Sequence, residues 1–163
     1  MWETEAASGI AIGVRFSHPE TGELVHMVID AGFTDDGSRL ADVIRTYYES
    51  DVVDLAIVTH PDQDHTNGMA ALIERLDVRE LMVHDIGAHG GQRLPAAERV
   101  DQLIAIAHEH GTTVTEPWAG QERFGALTVL GPDPAYYDYL SVGTGGGSGR
   151  GGHRRTGEKP PPA

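Results

Sequence analysis

Ala56-Ile57-Val58-Thr59-His60-Pro61-Asp62-Gln63-Asp64-His65-Thr66-Asn67-Gly68-Met69 is the stretch on which the reading of this chain turns. Two histidines and two aspartates fall within six residues, where a short apolar run gives way to a helical pattern. For this histidine and aspartate content, His-x-Asp-x-Asp-His is expected by chance roughly 0.003 times, so the pattern is specific as motifs go. Imidazole nitrogens and carboxylates are ligands of first-row divalent ions, and a loop leaving a strand can fold several of them around one point. Pro61 biases His60 toward an extended backbone and stiffens the loop, which lowers the entropy cost of gathering the ligands. Gly68 allows close backbone approach at the turn into the helix. No Arg or Lys lies in the segment to pair with Asp62 and Asp64. A divalent ion is the economical neutraliser. Taken singly, His60 reads as the end of a strand and the aspartates as a solvated helix entry; taken together, the four favour a metal.

Outward from this stretch, strand and helix patterns alternate. Upstream, Ile10, Ile12, Val14 and Phe16 recur at period two and read as a half-buried strand. His18-Pro19-Glu20-Thr21-Gly22 is a turn, and Leu24–Ile29 the returning strand of a hairpin. Leu40, Val43, Ile44, Tyr47 and Tyr48 have the spacing of one helix face. Leu55–Thr59 reads as a buried strand, and Met69, Leu72, Ile73 and Leu76 as an amphipathic helix. Leu81–Val83 is a further strand, and Val100, Leu103, Ile104 and Ala107 line a helix that closes at Gly111. Thr112–Thr115 and Ala126–Leu130 are the last strands. The order predicts an α/β layered fold, a sheet with helices packed against it.

Composition bounds the rest. In 163 residues, 12 Lys and Arg stand against 25 Asp and Glu, a net charge of −13. That length suits one domain with its own core. No run approaches a membrane span, and the acidic N-terminus lacks the basic region of a secretory signal. A cytoplasmic protein without membrane association is expected. Cysteine is absent, which excludes disulfides, thiolate catalysis and Cys-based metal sites. Residues 1–140 form the expected domain, and residues 141–163 a Gly/Arg/Pro-rich tail expected to be disordered. The tail carries +3 and the domain −16. So acidic a body repels a nucleic-acid backbone unless metal ions intervene, and no stable duplex binding is expected.

At the His-x-Asp-x-Asp-His motif the chain resembles the metallo-β-lactamase superfamily, whose hallmark is His-x-His-x-Asp-His after a short apolar strand. Asp62 stands where the second histidine is usual, and His-Pro-Asp-x-Asp-His-x-x-Gly is similar to the variant of ComEC-like hydrolase domains. Met27-Val28-Ile29-Asp30-Ala31-Gly32 resembles the family strand that ends in Asp-x-Gly, and Leu127-Thr128-Val129-Leu130-Gly131-Pro132 a later strand. The resemblance implies an αββα sandwich, here a partial one, over roughly residues 8–140. His60 and Asp62 would serve one metal, and Asp64 and His65 a second, with Asp64 also placed to orient or deprotonate the attacking water. Asp30 would lie beside the ligands. Zinc is the first expectation, with manganese, iron or magnesium as alternatives, as one or two ions. Metal-bound water has its pKa lowered toward ~7, so hydroxide would attack an ester or phosphodiester bond of a small-molecule or phosphodiester substrate.

No Gly-Asp strand and no His-His-Gly segment follows Leu140. The expectation is therefore a domain lacking much of its second sheet, with a homo-oligomer forming through the exposed sheet edge. The alternative to an active hydrolase is a truncated, catalytically inactive metal-binding fragment. Of the other histidines, His84 ends a strand on the side where such sites lie and is a further candidate ligand or substrate contact. His89 lies in the Gly87–Gly91 loop; roles away from the metal are favoured for both. His108 and His110 suit the negative end of a helix dipole. His18 and His26 belong to the hairpin, and His153 to the tail.

Overall fold

The computed structural model describes residues 9–91 and 94–135. Strands β1 (Ala11–Ser17) and β2 (Leu24–Ala31) form the expected antiparallel hairpin. Helix α1 (Thr34–Val43) follows, then β3 (Val52–Val53), β4 (Leu55–Ile57) and α2 (Gln63–Arg75). After these come β5 (Asp77–Val78), β6 (Glu80–Met82), α3 (Pro95–Glu109) and β7 (Thr113–Thr115). A short hairpin, β8 (Glu122–Arg123) and β9 (Leu127–Thr128), ends the described chain. The main sheet runs β1-β2-β4-β6-β7, with β1 antiparallel and the other neighbours parallel. Each parallel pair requires a crossover, which α1, α2 and α3 supply in turn. The α/β layered architecture is thus present.

The sheet has two differently covered faces. Val28, Ala56, Val58, Leu81 and Val83 are buried against Met69, Leu72, Ile73, Val100, Leu103 and Ala107 of the helices. On the other face, Val25, Met27, Leu55 and Met82 pack with Phe16, Ile57, Phe124, Leu127 and Val129. Strand alternation explains the split, because successive side chains point to opposite faces. The second face is only partly covered; Ile12, which recurs at period two with Val14 and Phe16 along β1, is 45% exposed. The short hairpin is held on this face by charge. Arg123 makes a two-pronged contact with Glu80, at 2.8 Å (Nη2–Oε1) and 3.0 Å (Nε–Oε2), and Thr115 donates to the same carboxylate at 2.6 Å. The Arg123 guanidinium holds the Glu80 carboxyl below the usual range.

Two local features depart from the periodicity reading. The face predicted from Leu40 to Tyr48 is split, for Val43 is 41% and Tyr47 72% exposed while Ile44 is buried. The chain winds as a π turn over Ile44–Tyr48, and the wider turn rotates Tyr47 off the stripe. Tyr48 keeps to the core side, stacked on His26 at 5.5 Å between ring centres. The parallel pairs are also longer than the apolar runs suggest. β3 pairs with β5 beside the β4–β6 pair, and the two are separated by Asp54 and Arg79, which form a 2.6 Å ion pair. By contrast α3 closes as expected. Gly111 takes φ 77°, and the amides of Gly111 and Thr112 donate to His108 and Ala107, the pattern of a Schellman cap.

Helices α1 and α2 meet backbone to backbone. A Cβ on Gly68 would collide with the carbonyls of Ala31 and Phe33, and one on Gly37 with the main chain of Gly68. Gly68→Ala is expected to cost about 3 kcal/mol, the upper end for overpacking, read as a lowered urea midpoint. Glu80→Gln is expected to cost about 1–2 kcal/mol at pH 7 by removing the ionised partner of Arg123. Because the folded-state pKa of Glu80 is depressed, this contribution is present above its ordinary value of 4.5 and fades as pH falls through the folded value. Denaturation of wild type and variant should therefore converge in acid.

Candidate metal centre

The carboxyl ends of the parallel strands collect the chemistry, as open parallel sheets generally do. Asp30 is the penultimate residue of β2, and it is placed through an irregularity. In the β1–β2 ladder Ala11 pairs with Ala31 but Ile12 pairs with Ile29, so Asp30 is the extra residue of a bulge. It takes φ 55°, a left-handed conformation that Asp tolerates better than most residues. The bulge removes Asp30 from strand pairing, and its buried carboxylate meets the loop after β4 instead. Oδ1 accepts from the Thr59 amide at 2.9 Å. Oδ2 accepts from the Thr59 hydroxyl at 2.6 Å and is 2.8 Å from His65 Nδ1.

These bonds determine the tautomers of both histidines. A carboxylate only accepts, so His65 Nδ1 carries the proton and leaves Nε2 as a lone-pair donor. Thr59 has one hydroxyl proton and gives it to Asp30, so at the 3.0 Å contact with His60 its oxygen accepts from Nδ1. His60 Nε2 is then also a lone-pair donor. One carboxylate therefore orients two imidazoles, one directly and one through a hydroxyl. The rings lie 3.7 Å apart between centres.

The helix entry brings the other two residues alongside. Asp62 is the N-cap of α2, and its main-chain carbonyl accepts the first helical bonds, from the amides of His65 and Thr66, and a further one from the Thr66 hydroxyl. The Asp62 carboxylate makes no cap bond; it is 71% exposed, with Oδ2 3.6 Å from His60 Nε2. Asp64 lies in the first turn, its Oδ2 3.6 Å from His65 Nε2. The Asp64 carbonyl is tied to Ile10 by a 2.9 Å bond from the Ile10 amide, which fixes the loop from behind. Among the described residues no arginine pairs with Asp62 or Asp64.

This donor set fits a divalent cation: two outward-ready imidazole nitrogens, and two carboxylates that no arginine or lysine pairs with among the described residues. Asp30, His60 and His65 each offer a donor atom within 4.8 Å of the others. Both oxygens of Asp30 are engaged by Thr59 and His65, so its evident part is to hold the imidazoles in place, the carboxylate–histidine arrangement common at metal sites.

A second group borders the site. His84 follows β6 and Glu116 follows β7. Glu116 Oε1 accepts from the Asp85 amide at 2.9 Å, and lies 2.9 Å from His89 Nε2 and 4.0 Å from His84 Nδ1. Both rings meet Trp118 edge-on, at 4.7 Å for His84 and 5.6 Å for His89. Burial pushes the His84 pKa down, against the pull of Glu116, which favours a neutral imidazole. His108 lies in the last turn of α3 and His110 is its C-cap. His18 Nδ1 accepts amides of its own turn. Thr59, Glu116 and Trp118 were not among the residues singled out from sequence. Only Thr59 carried a signal, as a hydroxyl directly before the first histidine. The tail, His153 and residues 136–140 lie outside the described residues.

A model of the metallo-beta-lactamase superfamily matches residues 22–154, and the chain belongs to that superfamily. Comparison with curated proteins returns no match.

If Asp30 and Thr59 orient the imidazoles, Thr59→Val should lower zinc affinity by about 10–100-fold with circular dichroism unchanged, whereas Thr59→Ser should retain it. Titration calorimetry reads the difference; equal affinity in wild type and Thr59→Val would count against the relay.

Proposed function

We propose that the chain is a metal-dependent hydrolase that cleaves an ester or phosphodiester bond. The carrying observation is that a single buried carboxylate, Asp30, presents both His60 and His65 with free Nε2 atoms, each with a carboxylate 3.6 Å away. The pairs His60/Asp62 and His65/Asp64 support two adjacent positions for cations. Asp62 in place of a histidine supports the ComEC-like form of the motif. A carboxylate there hardens the site and admits manganese, magnesium or iron beside zinc.

When bound, the metal supplies an activated water and polarises the scissile bond. The protein's own part is then positional. Asp64 orients the water and accepts its proton, for it is half-exposed at the helix entry and has no arginine partner among the described residues. His60 and Asp62 face solvent, so a substrate approaches from their side. The positive end of α2 lies under Asp62 and Asp64 and eases the crowding of their charge.

Elemental mass spectrometry of the purified protein is expected to find one or two equivalents of transition metal, lost in Asp62→Ala/Asp64→Ala. Hydrolysis of bis(p-nitrophenyl) phosphate or p-nitrophenyl acetate with added Mn²⁺ or Zn²⁺ should fall by roughly 100-fold or more in Asp64→Ala. Equal rates in the two proteins would remove the hydrolase reading.

A further inference from the structure

Beside the metal centre the sheet's thinly covered face forms a cleft of about 490 Å³. Ile29, Ile57 and Met82 form its floor, one from each of three adjacent strands, and Leu127, Val129 and Pro117 its opposite side. The outer side is held in place, because Val129 exchanges main-chain bonds with Gln121 and Gly120 at 2.9 and 2.8 Å. Arg123 and Glu80 clamp the same hairpin to the sheet. The cleft is not remote from the chemistry. Thr59, which orients His60, and His84 both line it. The same two residues, with His60 itself, line a second, smaller cleft of about 220 Å³ among Val58, Val83, Ile86 and Val100. Thr59 and His84 therefore stand where both clefts meet the metal-binding loop.

The lining is chemically one-sided. Among the described residues, neither cleft has an Asp, Glu, Lys or Arg in its walls. A charged phosphate or a nucleotide flank placed there would lose its water and find no counter-charge, which is costly. An uncharged hydrocarbon chain would gain from every methylene buried. The volume is within the range of small-molecule sites.

We propose that this cleft is the acyl-binding subsite of the enzyme, so that the substrate is a carboxylic ester or lactone with an uncharged apolar acyl group. This rests on the hydrolase reading above and chooses among its substrates. In the reaction the acyl C–O bond breaks and the acyl carbon bonds to the oxygen of water. One water proton goes to the leaving alkoxide, giving a carboxylic acid and an alcohol. Val129 and Leu127 set the preferred acyl length, since they close the side opposite the sheet.

Two measurements on the full chain test the proposal. With Zn²⁺ or Mn²⁺ present, kcat/KM for p-nitrophenyl acetate, butyrate and hexanoate is expected to rise about three- to fourfold per methylene while the chain fits. Bis(p-nitrophenyl) phosphate should be the poorer substrate. Without metal, octanamide observed by NMR should bind at least tenfold more tightly than acetamide. Its shifts should include the methyls of Ile57 and Val129, and the near-isosteric Val129→Thr should weaken it severalfold. Flat dependence on acyl length, or octanamide binding no better than acetamide, overturns the subsite. Turnover of the phosphate diester with no acyl preference overturns it while leaving the hydrolase intact. Selective octanamide binding without turnover of any ester supports the cleft and sinks the hydrolase reading instead.

Discussion

The carboxylate of Asp30 is the constraint from which the rest of the site follows. It is buried at the end of β2 and accepts from the Thr59 amide, the Thr59 hydroxyl and His65. A buried anion requires such compensation, and it is complete only when the loop after β4 and the first turn of α2 are both in place. The end of the sheet and the loop over residues 60–65 are thereby coupled through one carboxylate. Local strain at Asp30 is consistent with this, since a non-glycine residue in the left-handed region persists where its surroundings over-determine it.

The crossover architecture explains why these residues can meet at all. Parallel neighbours β2, β4 and β6 present their carboxyl ends at one edge, so positions far apart in sequence emerge side by side. Asp30, Thr59 and His60, and His84 occupy three successive exits. Helix α2 then adds Asp62, Asp64 and His65 from its first turn. The acidic helix entry is favourable to the dipole and unfavourable to itself, a balance that a divalent cation would tip. No helix among the described residues is long and apolar enough to cross a membrane.

Much of this was legible in the sequence, for identifiable reasons. The hairpin and the buried strand follow side-chain period two, and α2 and α3 follow the 3.6-residue period. The loop of the candidate site was legible because rare residues coincide in it, and Asp30 through its resemblance to a family strand. What was missed has no periodic signature. The π turn after α1 is a change in helical pitch, invisible to a fixed template, and it turned Tyr47 to the surface. The bulge that frees Asp30 is a fact of register between two strands, not of either strand alone. Glu116 and Trp118 reach the site only through the pairing of β7 with β6.

The glycine contact between α1 and α2 has a further consequence. Helix packing usually depends on interlocking side chains, so a changed methyl group shifts the helices by fractions of an ångström. At Gly37 and Gly68 no side chain intervenes, and the spacing of the helices is set by the main chain itself. Since α2 carries Asp64 and His65 one turn ahead of Gly68, the positions of these two residues are referenced to backbone. The apolar core elsewhere is consequently free to drift in sequence without moving Asp64 and His65, provided Gly37 and Gly68 remain without a Cβ.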